Sequence, residues 1–386
     1  MTKTLFKLTL IAGCALAATV ARADLTIGVS LPLTGPASGL GIPMQNGFKL
    51  WPQTIAGEKV RVVILDDATD PSKGVQNARR LTGEDKVDVL MGSGATPVAI
   101  PMADVATETH TPHLALAPIP LPPGKDAWTF RMPESNGVMA NAVVAHMKKT
   151  GIHTVGFIGY SDAYGESWLQ ELTPRLEKAG LKLVVTERFA RADTSVTAQA
   201  IKIAAANPDA VLVVASGSGA VMPQFALQER GFKGKVYQTH AAATRDLIRV
   251  GGKAVEGTFV SSGPVLVAEQ LPATHPSKVN GTRFVQEYEK ANGAGSRSAL
   301  AAHAVDAATL LEQAVPTAIK KAGKPGTPAF RAALKEALES TPGIAVSHGV
   351  LDYTAADHWG YRPDSAVIVK VVNGDWQLQA NSLAAQ

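Results

Sequence analysis

Cysteine is almost absent from this chain, with Cys14 alone among 386 residues. One thiol closes no internal disulfide, so the fold must rest on packing alone. Charge is sparse as well. Asp, Glu, Lys and Arg make up 18% of the residues against 46% hydrophobic, which excludes a disordered chain and permits large cores. The formal net charge is +4, and setting aside Lys3, Lys7 and Arg22 leaves +1. That removes any electrostatic case for nucleic acid, and no basic cluster stands beside the few aromatics to restore it. Beyond residue 23 no apolar run approaches the roughly 18 residues of a spanning helix, so the mature protein is expected to be soluble.

Catalytic signatures are missing too. Gly92-Ser93-Gly94 and Gly217-Ser218-Gly219 do not extend to GxGxxG, and there is no P-loop and no GxSxG elbow. His110 and His113 form a His-x-x-His without a companion carboxylate at zinc-site spacing. Asp66, Asp67 and Asp70 are spaced as a strand end followed by a helix cap rather than as metal ligands. No enzyme activity, cofactor or metal is expected.

What is present begins with an export signal. Lys3 and Lys7 precede an apolar stretch over 8–20, and Ala21-Arg22-Ala23 offers a small-x-small cleavage site. Ile11-Ala12-Gly13-Cys14 also reads as a lipoprotein box, but only six residues separate Lys7 from Cys14, short for an h-region. Cleavage after Ala23 and release to the periplasm is the expected outcome; a lipid anchor at Cys14 is the alternative.

The rest alternates β-branched runs with helical segments, the pattern of mainly parallel sheets covered by helices. Strands are expected at 25–33, 60–66, 87–92, 112–116, 154–159, 181–186, 209–215, 235–239, 257–262, 365–372 and 375–379. Helices are expected at about 41–56, then 71–84, 97–109, 136–150, 164–179, 194–206, 219–231, 279–292, 297–322 and 328–340. Pro264, Pro272 and Pro276 should keep 264–278 from forming a helix or a central strand. Crossings near 120–140, 262–275 and 350–364 would divide the chain into two Rossmann-like lobes, 24–135 with 267–352 and 136–266 with 353–386. Three crossovers form a hinge, and the strand-end loops of the two lobes face each other across a cleft.

Several of those strand ends carry a recognisable pattern. They include Leu33-Thr34-Gly35-Pro36, Asp66-Asp67-Ala68-Thr69-Asp70-Pro71, Gly92-Ser93-Gly94-Ala95-Thr96, Tyr160-Ser161-Asp162-Ala163-Tyr164-Gly165, Asn207-Pro208-Asp209 and Glu256-Gly257-Thr258. In order and spacing, across nearly all of 24–386, the chain resembles the periplasmic ligand-binding receptors of ABC importers, in the leucine/isoleucine/valine-binding branch. The resemblance implies a two-lobed α/β receptor that closes on a small molecule and passes it to a membrane permease, acting as a monomer. The structural disulfide of the amino-acid receptors has no counterpart here.

Site candidates follow. At Ala95-Thr96-Pro97, threonine is a good N-cap and proline suits the first helical position, so free N–H groups would face the cleft and favour a carboxylate. The family residue matching Thr96 helps hold the ligand's carboxylate; an ordinary cap is the alternative. After strand 112–116 come Ala117, Pro118 and Ile119, where the amino-acid receptors use small and hydroxyl residues on the ligand's carboxylate and ammonium. Ile119 has no hydroxyl to give. Tyr164 matches a tyrosine lining the cleft from the second lobe. Ser216 caps a helix or reaches the ligand, and Leu40 stands where those receptors carry an aromatic. His240 lies where they carry an acid that pairs with the ammonium. Burying an ammonium without a countercharge is costly, so the expected ligand is a non-amino carboxylate with an aromatic or branched apolar body. A branched-chain or other neutral amino acid is the alternative, and a subunit feeding a periplasmic sensor is an alternative of another class.

Overall fold

The computed structural model describes residues 24–379; the expected export segment, with Cys14, lies outside them. The first half of the chain runs β1 (Leu25–Leu31), α1 (Ser38–Phe48), β2 (Thr54–Ile55), β3 (Glu58–Asp66), α2 (Pro71–Gly83), β4 (Val89–Gly92), α3 (Thr96–Thr109), β5 (His113–Ala115) and β6 (Thr129–Arg131). Its sheet has the order β2-β3-β1-β4-β5-β6, parallel except for the β2–β3 pair. All seven residues of β1 are buried, which is why that run carries no polar alternation: helices cover both of its faces.

The chain then crosses to a second sheet through α4 (Asn136–Lys149), β7 (Thr154–Tyr160), α5 (Ala163–Ala179), β8 (Lys182–Phe189), α6 (Thr197–Ala206), β9 (Ala210–Val214), α7 (Ser218–Glu229), β10 (Lys235–Gln238), α8 (Arg245–Gly251) and β11 (Phe259–Ser262). Helices α9 (Lys278–Asn292), α10 (Ala299–Ala322) and α11 (Pro328–Ser340) follow, then the hairpin β12 (Ile344–Val346) and β13 (Gly349–Leu351). The chain returns with β14 (Val367–Val372) and β15 (Asp375–Leu378). The second sheet has the order β15-β14-β11-β10-β9-β7-β8, parallel from β11 to β8 and antiparallel at β14 and β15. The fold is α/β, with two mainly parallel sheets and three crossings between them.

Some elements depart from expectation for identifiable reasons. The helix expected over 41–56 stops at Phe48, because Trp51 donates its indole N–H to the Ala304 carbonyl at 2.8 Å and Pro52 cannot continue the turn. In 264–278 a 3₁₀ run forms over Pro264–Gln270, broken by non-helical backbone at Val267. Several short elements went unpredicted, among them β2, β6, α8 and the β12–β13 hairpin. Each is too brief for a periodic signal.

The division of the core also differs from the expected lobe boundary at 266/267. Val265, Leu266, Val267, Phe284, Val285 and Tyr288 pack with the second sheet, and Gln270 donates to the Trp376 carbonyl of β15 at 2.8 Å. The change of core falls inside α10, where Ala299, Ala301, Ala302 and Val305 pack with the second cluster and Leu300, Ala304, Ala307 and Leu310 with the first. Tyr353 and Tyr361 stay with the first core, and Ala366 begins the return to the second. Side-chain packing, not the last strand end, sets these limits.

Candidate functional site

The strand ends of both sheets converge on one small pocket. From the first sheet's side come Leu40, Gly94, Thr96, Leu116 and Pro118; from the second come Tyr164, Arg191, Ser216, His240 and Ala241. Pro133 of the first crossing and Leu300 and His303 of α10 complete the lining. The halves meet here at close range: a Cβ added to Gly39 at the start of α1 would lie 3.3 Å from Gly217 Cα at the start of α7.

Six of the nine candidate residues are brought together: Leu40, Thr96, Pro118, Tyr164, Ser216 and His240. Three are not. Ala95 is the N-cap of α3 and fully buried. Ala117 and Ile119 pack with Ala99, Ala103 and Ala115 in a small satellite core, and the Ile119 carbonyl accepts a hydrogen bond from Arg131 Nε at 3.0 Å. The loop folds inward behind the rim, leaving Pro118 to face the pocket.

The start of α3 also needs correction. Ala95, not Thr96, is the N-cap, and no side chain caps the helix. The Val98 and Ala99 N–H groups both bond to the Ala95 carbonyl, at 3.0 and 2.9 Å, and Pro97 has none. What α3 offers the pocket is therefore Thr96 itself rather than a row of free amides.

Opposite stands Arg191, which the sequence reading missed. Its guanidinium is one-tenth exposed and paired with Asp162 at 2.5 Å, lies 4.1 Å over the Tyr160 ring, and donates to Ser216 Oγ at 3.3 Å. Asp162 in turn accepts the Tyr164 and Gly165 N–H groups as the cap of α5. Gly165 is obligatory there, since any Cβ would stand 1.8 Å from the Tyr160 carbonyl oxygen. Tyr164 is buried, its hydroxyl donates to Thr239 Oγ1 at 2.8 Å, and burial raises its pKa. Ser216 is tied on both sides, its carbonyl accepting from the Tyr160 hydroxyl at 2.9 Å.

This constellation sits in a recognisable family. Residues 24–375 match the periplasmic binding protein family. The chain is a periplasmic binding protein. Among curated relatives, the Leu/Ile/Val-binding protein homolog 3 of Brucella melitensis is 27% identical over 274 residues, 66% of this chain and 73% of that protein. Among solved structures, Rp1789 of Rhodopseudomonas palustris is 45% identical with a TM-score of 0.90, covering 92% of this chain and all of that one. A solute-binding protein of an ABC transporter from Rhodopseudomonas palustris BisB5, solved with 3,4-dihydroxybenzoic acid, is 24% identical with a TM-score of 0.75 over 92% of this chain and 95% of that one. The family is one of solute receptors, not of enzymes, and among the described residues no helix is long and apolar enough to cross a membrane.

In this binding protein the pocket backs onto a buried polar knot of Glu134, His303, Asp306 and His348. Glu134 lies in the first crossing, and a Cβ on Gly263, just past β11, would stand 2.5 Å from its Oε1 and 2.4 Å from the His348 ring. His303 and His348 stack at 3.7 Å between centroids, and Glu134 Oε2 lies 3.8 Å from His303 Nε2. Burial pushes the Glu134 carboxyl up to about 7, with His348 opposing the shift. His348, against the downward pull of burial, is raised by Glu134 and Asp306. His303, Asp306 and His348 approach closely enough to suggest a metal site, but Asp306 Oδ2 already engages the Ser347 hydroxyl and the His348 N–H and Nδ1, while Oδ1 takes the Ser347 N–H. That carboxylate holds the turn between β12 and β13 and has little left for an ion.

The other sequence candidates resolve as structure. Asp66 accepts the Leu33, Thr34 and Ala68 N–H groups, and Asp70 caps α2. His113 is fully buried in β5, bonded to the Gly92 carbonyl, and burial lowers its pKa to about 4. Arg191 escaped notice because β8 was expected to end at 186. It runs to Phe189, which carries Arg191 to the same sheet edge as the other liners. An arginine two residues past a strand end was the available signal.

Proposed function

We propose that this receptor closes over a small organic acid with an apolar, aromatic body and delivers it to an ABC permease from the periplasm. The observation that carries the reading is the Arg191 guanidinium, one-tenth exposed and paired with Asp162, in a pocket whose lining contains no Asp or Glu. A carboxylate finds there a charge-assisted donor and the Thr96 hydroxyl, whereas an ammonium finds no lining countercharge. Leu40, Leu116, Pro118 and Leu300 supply walls for the apolar body. A structural neighbour solved with 3,4-dihydroxybenzoic acid supports an aromatic acid as the ligand. Because liners come from both sheets, a ligand touching both favours the closed arrangement over an open one, which is how such hinge proteins couple binding to closure.

Thermal melting of the purified protein tests this, using leucine, isoleucine and valine against benzoate-type and branched aliphatic acids. A ligand at 100 times its dissociation constant adds about 2.7 kcal/mol. Stabilisation by acids lacking an amino group is the expected result. Stabilisation by the amino acids alone would overturn the reading in favour of the role borne in the name of the Brucella relative.

A further inference from the structure

Arg191 and Ser216 account for one pole of the pocket; the other holds two imidazoles with ring nitrogens that no hydrogen bond satisfies among the described residues. His240 is 4% exposed, and neither of its ring nitrogens has a hydrogen-bond partner among the described residues. His303 is 2% exposed, with its Nδ1 likewise unpartnered. Tyr164 separates the poles, its ring 6.0 Å from the Arg191 guanidinium and 6.1 Å from the His240 ring. Buried polar groups without partners are rare in native proteins, and one aimed into a ligand pocket marks where the ligand completes the bonding.

The chemistry of that missing partner is constrained. Burial lowers the His240 pKa to about 3 and holds His303 well below its ordinary value, so both rings are neutral. A neutral imidazole presents one N–H donor and one acceptor nitrogen. A second carboxylate on the ligand only accepts; it could take an N–H from each ring but would leave each acceptor nitrogen unmet, with the Glu134 carboxyl 3.8 Å behind His303. An ammonium only donates and brings a charge that no lining acid balances. A methyl or bare ring edge leaves the nitrogens as they are. A hydroxyl both donates and accepts, and so matches a pair of neutral imidazoles.

We infer that the ligand is a hydroxylated aromatic acid whose hydroxyl, remote from the carboxylate, is held between His240 and His303. The inference rests on the carboxylate reading of the Arg191 pole, and it assigns His240 and His303 as the residues that set specificity at the opposite pole.

Titration calorimetry of the purified protein with benzoate, 3- and 4-hydroxybenzoate, 4-methylbenzoate and terephthalate tests it. The methyl compound matches the hydroxyl in size without its hydrogen bonds. At least one hydroxybenzoate should bind about tenfold or more tightly than 4-methylbenzoate, because a site built around a hydroxyl rejects the analogue lacking it. Terephthalate should bind weakest. The His240→Phe variant, which keeps a ring against Tyr164 and Trp168, should bring the hydroxyl and methyl compounds to within about twofold of each other. If 4-methylbenzoate or terephthalate binds the unmodified protein as well as both hydroxybenzoates, the inference fails while the carboxylate reading stands; that comparison needs no variant. If no aromatic acid binds at all, the carboxylate reading fails and this inference falls with it.

Discussion

Replacing Arg191 by glutamine should be the most informative single perturbation of this receptor. The guanidinium is one-tenth exposed, so a ligand carboxylate beside it exchanges hydration for a charge-assisted bond in a dry site. Hydrogen bonds to charged groups contribute roughly 1.5–3 kcal/mol, and each 1.4 kcal/mol is about tenfold in affinity. The Arg191→Gln variant should therefore bind its acid about 10- to 150-fold more weakly. A second effect pushes the same way, because Asp162 loses its 2.5 Å partner and becomes an unpaired negative charge beside the pocket. The double variant Arg191→Gln with Asp162→Asn separates the two. Asparagine keeps an oxygen to accept the Tyr164 and Gly165 N–H groups that cap α5, so the helix start should survive. Affinity partly restored in the double variant assigns the recovered part to repulsion by Asp162. Titration calorimetry with an aromatic acid reads both numbers, and circular dichroism checks the fold. An Arg191→Gln protein that binds the acid with unchanged affinity refutes the carboxylate site at this arginine.

Other outcomes follow from the same geometry. Thr96→Val keeps the shape of the first residue of α3 but removes its hydroxyl, and should weaken carboxylate binding by about 1–3 kcal/mol if that hydroxyl donates to the ligand; calorimetry showing no change would remove Thr96 from the site. Gly39→Val places a branched side chain where Gly217 Cα already lies 3.3 Å from a Cβ, and overpacking of this kind costs about 1–3 kcal/mol. It should weaken every ligand alike and leave a more open particle in small-angle scattering with ligand present; a compact, fully binding variant would show that the contact is not needed for closure. Acid stability has a definite sign. Burial depresses His240 to about 3 and His113 to about 4, so below the ordinary histidine range the unfolded chain binds more protons than the native one. Stability present near pH 7 is then lost as pH falls through 6.5 toward 4, by about 2–3 kcal/mol per such histidine at pH 4.5. Melting curves should show His240→Phe losing less stability than the unmodified protein over that span, and parallel losses would contradict the buried, neutral assignment.

Much of the architecture was legible because it depends on local chemistry. Apolar runs ending in Gly, Ser, Thr and Asp placed the strands and, through them, the rim on which Thr96, Tyr164, Ser216 and His240 converge. The departures lie where a distant contact overrides a local preference. Ile119 reads as a rim residue by position, yet Arg131 holds its carbonyl and turns its side chain into a satellite core. Thr96 has the chemistry of an N-cap, but it is the first helical residue and Ala95 is the cap. Arg191 became visible only when β8 proved to extend to Phe189.

The sequence by itself determined the α/β class, the alternation that builds two mainly parallel sheets, the absence of an acid after β10 and the membership of a ligand-receptor family. These rest on residue type and short-range periodicity, which a chain carries before it folds. Only the tertiary structure decided that Arg191 and Thr96 line one pocket, that α10 belongs to both cores, and that Glu134, Gly263 and the His348 turn meet behind the pocket. Such meetings join residues far apart in the chain, and no local preference encodes them; they follow from how the two sheets pack.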